Sequence, residues 1–346
     1  MKKIIITGVT GQDGSHMADY LINNTEHTII GGVRRLSVKN HGNIEHLLDN
    51  PRFFLIDLDV TDAENIDRVI SKYKPDYFIN FAANSFVGTS WTMPVNHMQT
   101  NCMAVLHQLE AIRKHAPHCR YYNAGSSEEF GDVITQPQSE EHPLRPRSPY
   151  GASKCAARHL VKVYRDSYDL YAVQGWLFNH EGTRRGAEFV TRKITQNVAR
   201  ISQEYSRKEN FEPLKLGNVN SKRDWSDAED FVNGVWLMLN QEREEADDYV
   251  LSSDETHTIK EFVEEAFNFA GFHRSICRWE GEGDETKYYH GEEILMEVDP
   301  QFYRPAEVDL LFGDSTRARK ELGWNPKTNF IQLVNKMVKH DIELLT

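Results

Sequence analysis

Tyr150 and Lys154 lie in the run Tyr-Gly-Ala-Ser-Lys, so on a helix they stand one turn apart and share a face. A tyrosine with its ordinary pKa near ~10 is a poor base at neutral pH. An ammonium group one turn away favours the phenolate and lets it take a proton from a substrate hydroxyl. Upstream, an apolar run over Tyr121–Ala124 is followed by Gly-Ser-Ser-Glu-Glu-Phe-Gly. Loops after the carboxyl ends of parallel strands are where α/β folds hold ligands. Ser126 in that loop is placed to hydrogen-bond the hydroxyl that Tyr150 deprotonates. Two acids, Glu128 and Glu129, follow in the same loop. Of the two neighbouring acids, Glu129 is expected to be the solvated one.

Hydride chemistry of this kind needs a dinucleotide, and the first apolar run leads into one candidate cradle. Gly8, Gly11 and Gly14 follow Lys3–Thr7 in the spacing G-x-x-G-x-x-G and open a helix expected from Ser15 to about Ile22. Such glycines allow a tight turn, close approach of backbone to a diphosphate, and close packing of helix on strand. The second run, Thr28–Val33, ends in Arg34 and Arg35, and no acid lies between His27 and Ile44. An acid there would bind a ribose 2′-hydroxyl, whereas two guanidiniums suit a 2′-phosphate. The expected cofactor is NADP.

These residues need a frame that brings strand ends together. Apolar runs at Lys3–Thr7, Thr28–Val33, Phe53–Ile56, Tyr77–Phe81, Tyr121–Ala124 and Ala172–Phe178 alternate with helical periods. Val95, Met98, Cys102, Val105, Leu109 and Ile112 form one such core-facing stripe, and a second helix is expected over Tyr150–Asp169. The pattern predicts an α/β fold, a doubly wound parallel Rossmann sheet with a smaller mixed α/β domain for substrate. Residues 1–178 form the first domain, with returns near 227–252 and 308–322, and 179–346 form mainly the second. Late in the chain a short helix after Asp314, a Gly323–Pro326 break and an amphipathic helix from about Asn329 are expected.

The chain has 346 residues and a formal net charge of −12, which argues against nucleic-acid binding. No apolar run approaches the ~18 residues of a membrane span. The apolar stretch near Met1 is too short for a signal-peptide core, and a cytoplasmic chain is expected. Cys102, Cys119, Cys155 and Cys277 are scattered, with neither disulfide nor metal spacing, so no metal site is expected.

The glycine loop, Ser126 and the Tyr150/Lys154 pair together resemble the extended short-chain dehydrogenase/reductase superfamily. Further runs resemble one family within it, the GDP-mannose 4,6-dehydratases: Gly8–Ser15, Val33–Leu47, Asn179–Ile194, Leu216–Trp225 and Tyr303–Gly313. The resemblance implies Ser126, Glu128, Tyr150 and Lys154 as the catalytic set. It implies cofactor contacts at Gly8, Gly11, Gln12, Asp13, Gly14, Arg34, Arg35, Asp59, Val60, Ala82, Ala83 and Ser85, with Asp59 and Val60 along the adenine. It implies that Asn179, Val190, Lys193, Arg223, Arg304 and Glu307 hold the GDP-sugar. Departures from the family pattern are Ser126 in place of Thr, Phe86 of His, Thr183 of Pro, Asn43 of Arg and Leu36 of Ser.

The implied reaction is NADP-dependent conversion of GDP-mannose to GDP-4-keto-6-deoxymannose and water, the cofactor staying bound and recycling in each turnover. A related GDP-sugar such as a GDP-manno-heptose is the alternative substrate. A non-catalytic nucleotide-sensing protein is the alternative of another class, and it would be expected to lack the Tyr/Lys pair. A homo-oligomer is expected: a tetramer through the Arg34–His46 loop, or a dimer through the Val95–Ile112 and Tyr150–Asp169 helices.

Overall fold

Lys3–Thr7 (β1) shows how this sequence builds a two-sided sheet. Successive side chains of a strand point to opposite faces, so Ile4 and Ile6 enter one apolar cluster and Ile5 another. All three isoleucines are fully buried, which is the mark of a parallel sheet covered on both sides. The structure, a computed structural model, describes residues 1–242, 246–302 and 310–346.

After β1 come α1 (Gln12–Asn24), β2 (Thr28–Val33), β3 (Phe53–Asp57), α2 (Ala63–Tyr73) and β4 (Tyr77–Asn80). Then follow α3 (Pro94–Met98), α4 (Ala104–His115), β5 (Arg120–Ala124), α5 (Pro149–Tyr168) and β6 (Ala172–Leu177). Each strand lies within a residue or so of its expected run. The sheet has seven parallel strands in the order Val250–Leu251, β6, β5, β4, β1, β2, β3. The order reverses between β1 and β4, and such a switch point opens a crevice at the carboxyl ends of the strands.

The stripe expected to face the core from Val95 to Ile112 is only half right. Cys102, Val105, Leu109 and Ile112 are buried, but Val95 is 70 % exposed and Met98 39 %. The cause is a π-helical turn over Gln99–Met103 between α3 and α4. Its extra residue rotates the face presented by the preceding turn, so the two halves of the stripe no longer align.

Beyond β6 the chain builds a second lobe from α6 (Val190–Ser206), α7 (Ala228–Leu239), α8 (Ile259–Phe269), α9 (Thr316–Leu322) and α10 (Phe330–Glu343), with short mixed sheets. Its own core joins Ile194 and Val198 to Phe262, Phe267, Leu333 and Met337. Two of these helices belong elsewhere in packing terms. Phe231 and Val235 of α7, Ala318 of α9 and nearby Trp324 join the first lobe's cluster against α1. Among the described residues no helix is long and apolar enough to cross a membrane.

Candidate functional site

Two of the glycines after β1 are dictated by space. Gly8 has φ +66°, and a Cβ there would lie 2.8 Å from the Ala82 amide nitrogen. A Cβ on Gly14 would lie 2.3 Å from the Gly8 carbonyl oxygen. Only glycine lets the loop tuck under β4 and α1 close on the loop. Gly11 is the N-cap of α1, and its side offers no capping side chain.

The carboxylate of Asp13, in the first turn of α1, faces His180 rather than open space. Its Oδ2 is 2.9 Å from His180 Nε2, and its Oδ1 accepts a bond from Gln12, whose amide also reaches the His180 carbonyl at 3.1 Å. Burial raises the Asp13 carboxyl, but the His180 charge and hydrogen bonds outweigh it and hold the group well below the carboxylate range. Burial likewise lowers the His180 imidazole, and the Asp13 partner carries it above its usual value. This pair stitches α1 to the strand Asn179–Glu181.

The other expected cofactor residues lie along the carboxyl ends of β1 to β4. Arg34 and Arg35 are exposed just past β2. Asp59 accepts the Thr61 amide and hydroxyl at 2.9 and 2.7 Å, so its carboxylate shapes a turn, and Val60 beside it is buried. Asn43, in the loop after β2, donates to the Thr10 carbonyl at 2.9 Å and ties that loop to the glycine turn. The Ala82 amide donates to Thr7 Oγ1 at 3.2 Å.

At the end of β5, Ser126 caps a single 3-10 turn over Ser127–Glu129, its hydroxyl accepting the Glu128 amide at 3.2 Å. Opposite, Ser148 caps α5 and Pro149 begins it, which sets Tyr150 and Lys154 on the first turns. A Cβ on Gly151 would lie 2.6 Å from the Glu128 carbonyl oxygen, so this glycine brings the helix against the Ser127–Glu129 turn. Lys154 Nζ donates to the Ala124 carbonyl at 2.7 Å. Burial raises the Tyr150 phenol well above its usual value, while its hydrogen bond with Ser126 acts the other way. Burial pushes the Lys154 ammonium down to about 8, against the opposing pull of Glu129 and Asp13.

A cleft of about 810 Å³ lies between the lobes and collects most of the expected residues. Ser126, Glu128, Tyr150, Lys154, Asp13, Ala83 and Ser85 line it, together with Asn179, Val190, Lys193 and Arg223. Gly8, Gly11, Gln12, Gly14, Arg34, Arg35, Asp59, Val60 and Ala82 are not in its lining. Arg304 and Glu307 fall outside the described residues. Asn179 Oδ1 is buried with no hydrogen-bond partner among the described residues, an acceptor suited to a ligand donor. The basic pairs of the second half divide. Arg184 and Arg192 pair with Asp19 and Asp341 at 2.7 and 2.8 Å, while Arg185, Lys193 and Arg223 face the cleft.

One expectation is reversed. Glu129 is fully buried, paired with Arg158 of α5, whereas Glu128 is the half-buried acid on the cleft wall. Phe86, marked in the sequence as a departure from the family pattern, meets Phe189 edge to face at 5.8 Å; sequence reasoning missed Phe189 and this pairing, with the Arg185 guanidinium 3.5 Å from the Phe189 ring centre. Nothing in their spacing marks them, because they come from loops on opposite lobes.

The model of one family, "GDP-mannose 4,6 dehydratase", matches residues 5–337. A GDP-mannose 4,6 dehydratase of Drosophila melanogaster is 42 % identical over 99 % of this chain and 87 % of its own length. That of Homo sapiens is 39 % identical over 99 % and 91 %. Among solved structures, dTDP-glucose 4,6-dehydratase from Bacillus anthracis in complex with NAD superposes with a TM-score of 0.79, at 21 % identity over 98 % of this chain and 96 % of that one.

Proposed function

We infer from the match that this chain, which belongs to the GDP-mannose 4,6-dehydratase family, is a hydro-lyase that converts GDP-mannose to GDP-4-keto-6-deoxymannose and water. The observation that carries the reading is the convergence of Ser126, Glu128, Tyr150 and Lys154 on a cleft that Lys193 and Arg223 also line.

The proposed cofactor is NADP, lying from the glycine turn across the strand ends to Tyr150. The tight glycine turn, in which a Cβ on Gly8 or Gly14 would strike the Ala82 or Gly8 backbone, brings main chain to the N-terminus of α1 where a diphosphate fits, and the exposed Arg34 and Arg35 past β2 suit a 2′-phosphate. When bound, it would supply the hydride acceptor and donor that oxidation at C4 and reduction at C6 require. Tyr150 takes the proton of the C4 hydroxyl, with Ser126 donating to that oxygen. Lys154, kept charged by Glu129 and Asp13, stabilises the phenolate that a buried tyrosine otherwise resists. Once C4 is a ketone the C5 hydrogen is acidic: Glu128 takes it as a proton and passes a proton to the C6 hydroxyl, which leaves as water, and C5 regains a proton from solvent when C6 receives hydride. Epimerisation or simple reduction needs no such carboxylate.

Within the same proposal, Asn179, Val190, Lys193 and Arg223 hold the GDP moiety, with Arg304 and Glu307 as further contacts. Residues up to 178 and the returns through α7 and α9 serve the cofactor, and the rest mainly serve the sugar nucleotide. The four thiols are free, in keeping with a reducing cytoplasm. A homo-oligomer is proposed, through the exposed loop after β2 or through the apolar exposure of Val95, Met98 and Val163. Incubation with GDP-mannose tests the function. Loss of one water by mass spectrometry, with one solvent deuterium at C5, is expected; recovery of unchanged GDP-mannose contradicts it.

A further inference from the structure

Glu129, whose charge also supports that of Lys154, sits in a buried polar assembly that exchanges no proton with the substrate in the proposed reaction. The carboxylate accepts the Ser126 amide at 2.8 Å and the Gln174 side-chain amide at 3.1 Å through Oε1, and Arg158 Nε through Oε2. Arg158 is itself 5 % exposed, and its guanidinium lies 3.5 Å from the Trp176 ring centre. It donates to the Gln174 and Gly175 carbonyls of β6 at 2.6 and 3.2 Å. Gln174 also donates to the Lys154 carbonyl at 3.1 Å and accepts from Asn123 of β5. Arg158 follows Lys154 by four residues, as Lys154 follows Tyr150, so all three share one face of α5.

Taking the proposed function as its basis, we propose that Glu129 and Arg158 are positioning residues. Together they clamp the Ser126–Glu128 turn to β6 and to the face of α5 that carries Tyr150 and Lys154. The reason is geometric. Ser126 must point at the phenol of Tyr150, and Glu128 must sit beside it on the cleft wall, yet the turn carrying them is only one 3-10 turn long. A turn so short has few hydrogen bonds of its own to fix its angle. The Glu129 carboxylate supplies the missing tie from inside the protein, where water cannot compete for the Ser126 amide. A buried ion pair is weak evidence for stability but suits a role in holding one arrangement among several.

Two double variants separate this role from mere stability. In Glu129→Met/Arg158→Met both charges go together, so neither is left unpaired in the core, and Asp248 keeps Arg165 at 2.9 Å. In Glu129→Gln/Arg158→Met the amide oxygen remains available to the Ser126 N–H. The first is expected to fold, to bind GDP-mannose with unchanged KM, and to lose kcat by about ten- to a hundredfold, as for other small misplacements of reacting groups. Its C4 oxidation slows with the whole reaction, because Ser126 is displaced. The second is expected to recover most of that loss. Hydrogen exchange of the peptide over residues 125–130 should speed up in the first variant and return towards the parent rate in the second. Parent-like exchange and kcat in both variants overturn the proposal. So does an equal loss of kcat, KM and melting temperature in both, which marks a structural pair only. If the parent protein leaves GDP-mannose unchanged, the functional reading fails, while the exchange measurement still decides whether the clamp exists.

Discussion

The two sides of the catalytic centre are made of different material. On the β1 side the cradle is backbone: a glycine with φ +66°, a second glycine with no room for a Cβ, and the first turn of α1. On the β5 side it is buried side chains: Lys154, Tyr150, Glu129, Arg158 and Gln174, each with less than a tenth of its surface exposed. A backbone cradle presents N–H groups that carry their dipoles at any pH and need no charge partner. A side-chain cradle must hold each buried charge against its desolvation, and it does so by pairing. The first suits a diphosphate that is held throughout; the second suits groups whose protons move.

The largest effect belongs to the side-chain side. Tyr150→Phe removes the group proposed to take the C4 proton and is expected to lower turnover by about 10²–10⁴-fold with no reduced nicotinamide formed. Stopped-flow absorbance after mixing with GDP-mannose checks it, and parent-like absorbance would mean that another group is the base. On the backbone side, Gly14→Ala forces a Cβ to 2.3 Å from the Gly8 carbonyl. Overpacking of this kind costs about 1–3 kcal/mol, so a lower melting temperature and a weakened cofactor complex are expected together. An alanine variant with both unchanged would deny that the cradle is tight.

Arg35→Ala tests the edge of the cradle, where recognition passes from backbone to an exposed side chain. Loss of a charged hydrogen bond of about 1.5–3 kcal/mol predicts a roughly tenfold or greater rise in the NADP dissociation constant, with NAD binding unchanged. Titration calorimetry with both dinucleotides separates the cases; an equal change for both removes Arg35 from 2′-phosphate recognition.

The smallest effect joins the two sides, at Asp13 and His180. The His180 pKa is raised above 6.5, so its contribution to stability is full below pH 6.5 and is lost as pH rises through the folded value. The Asp13 pKa is lowered from 3.8, so its contribution is full above pH 3.8 and is lost as pH falls through the folded value. The melting-temperature gap between the parent and His180→Asn is therefore expected to be widest between these two values and to narrow as pH rises further. A gap that grows with pH would mean that His180 is buried uncharged.

The backbone side was legible in the sequence because its signals are local. Gly8, Gly11 and Gly14 lie within one turn and a helix start; on the other side only Tyr150 with Lys154, one turn of helix apart, is as local. The β-rich runs gave the six main strands because a parallel sheet buries both faces and leaves continuous apolar stretches. The side-chain network was illegible because its partners are distant: Glu129 and Arg158 are 29 residues apart, Asp13 and His180 167. Glu129 looks like a loop acid until β6 brings Gln174 beneath it. The π-turn at Gln99–Met103 was hidden for a related reason, since Val95 and Met98 keep helical spacing although the added residue turns them outward.

The central claim is a division of labour on one wall: Tyr150 with Ser126 for C4, Glu128 for C5. Glu128→Gln keeps the shape and removes the carboxylate base. Followed by absorbance of the reduced nicotinamide and by mass spectrometry of the sugar nucleotide, this variant is expected to oxidise C4 and accumulate bound NADPH. Water loss and C5 exchange should slow by about 10²–10⁴-fold. Dehydration at the parent rate, or a stall before any NADPH appears, would contradict the account.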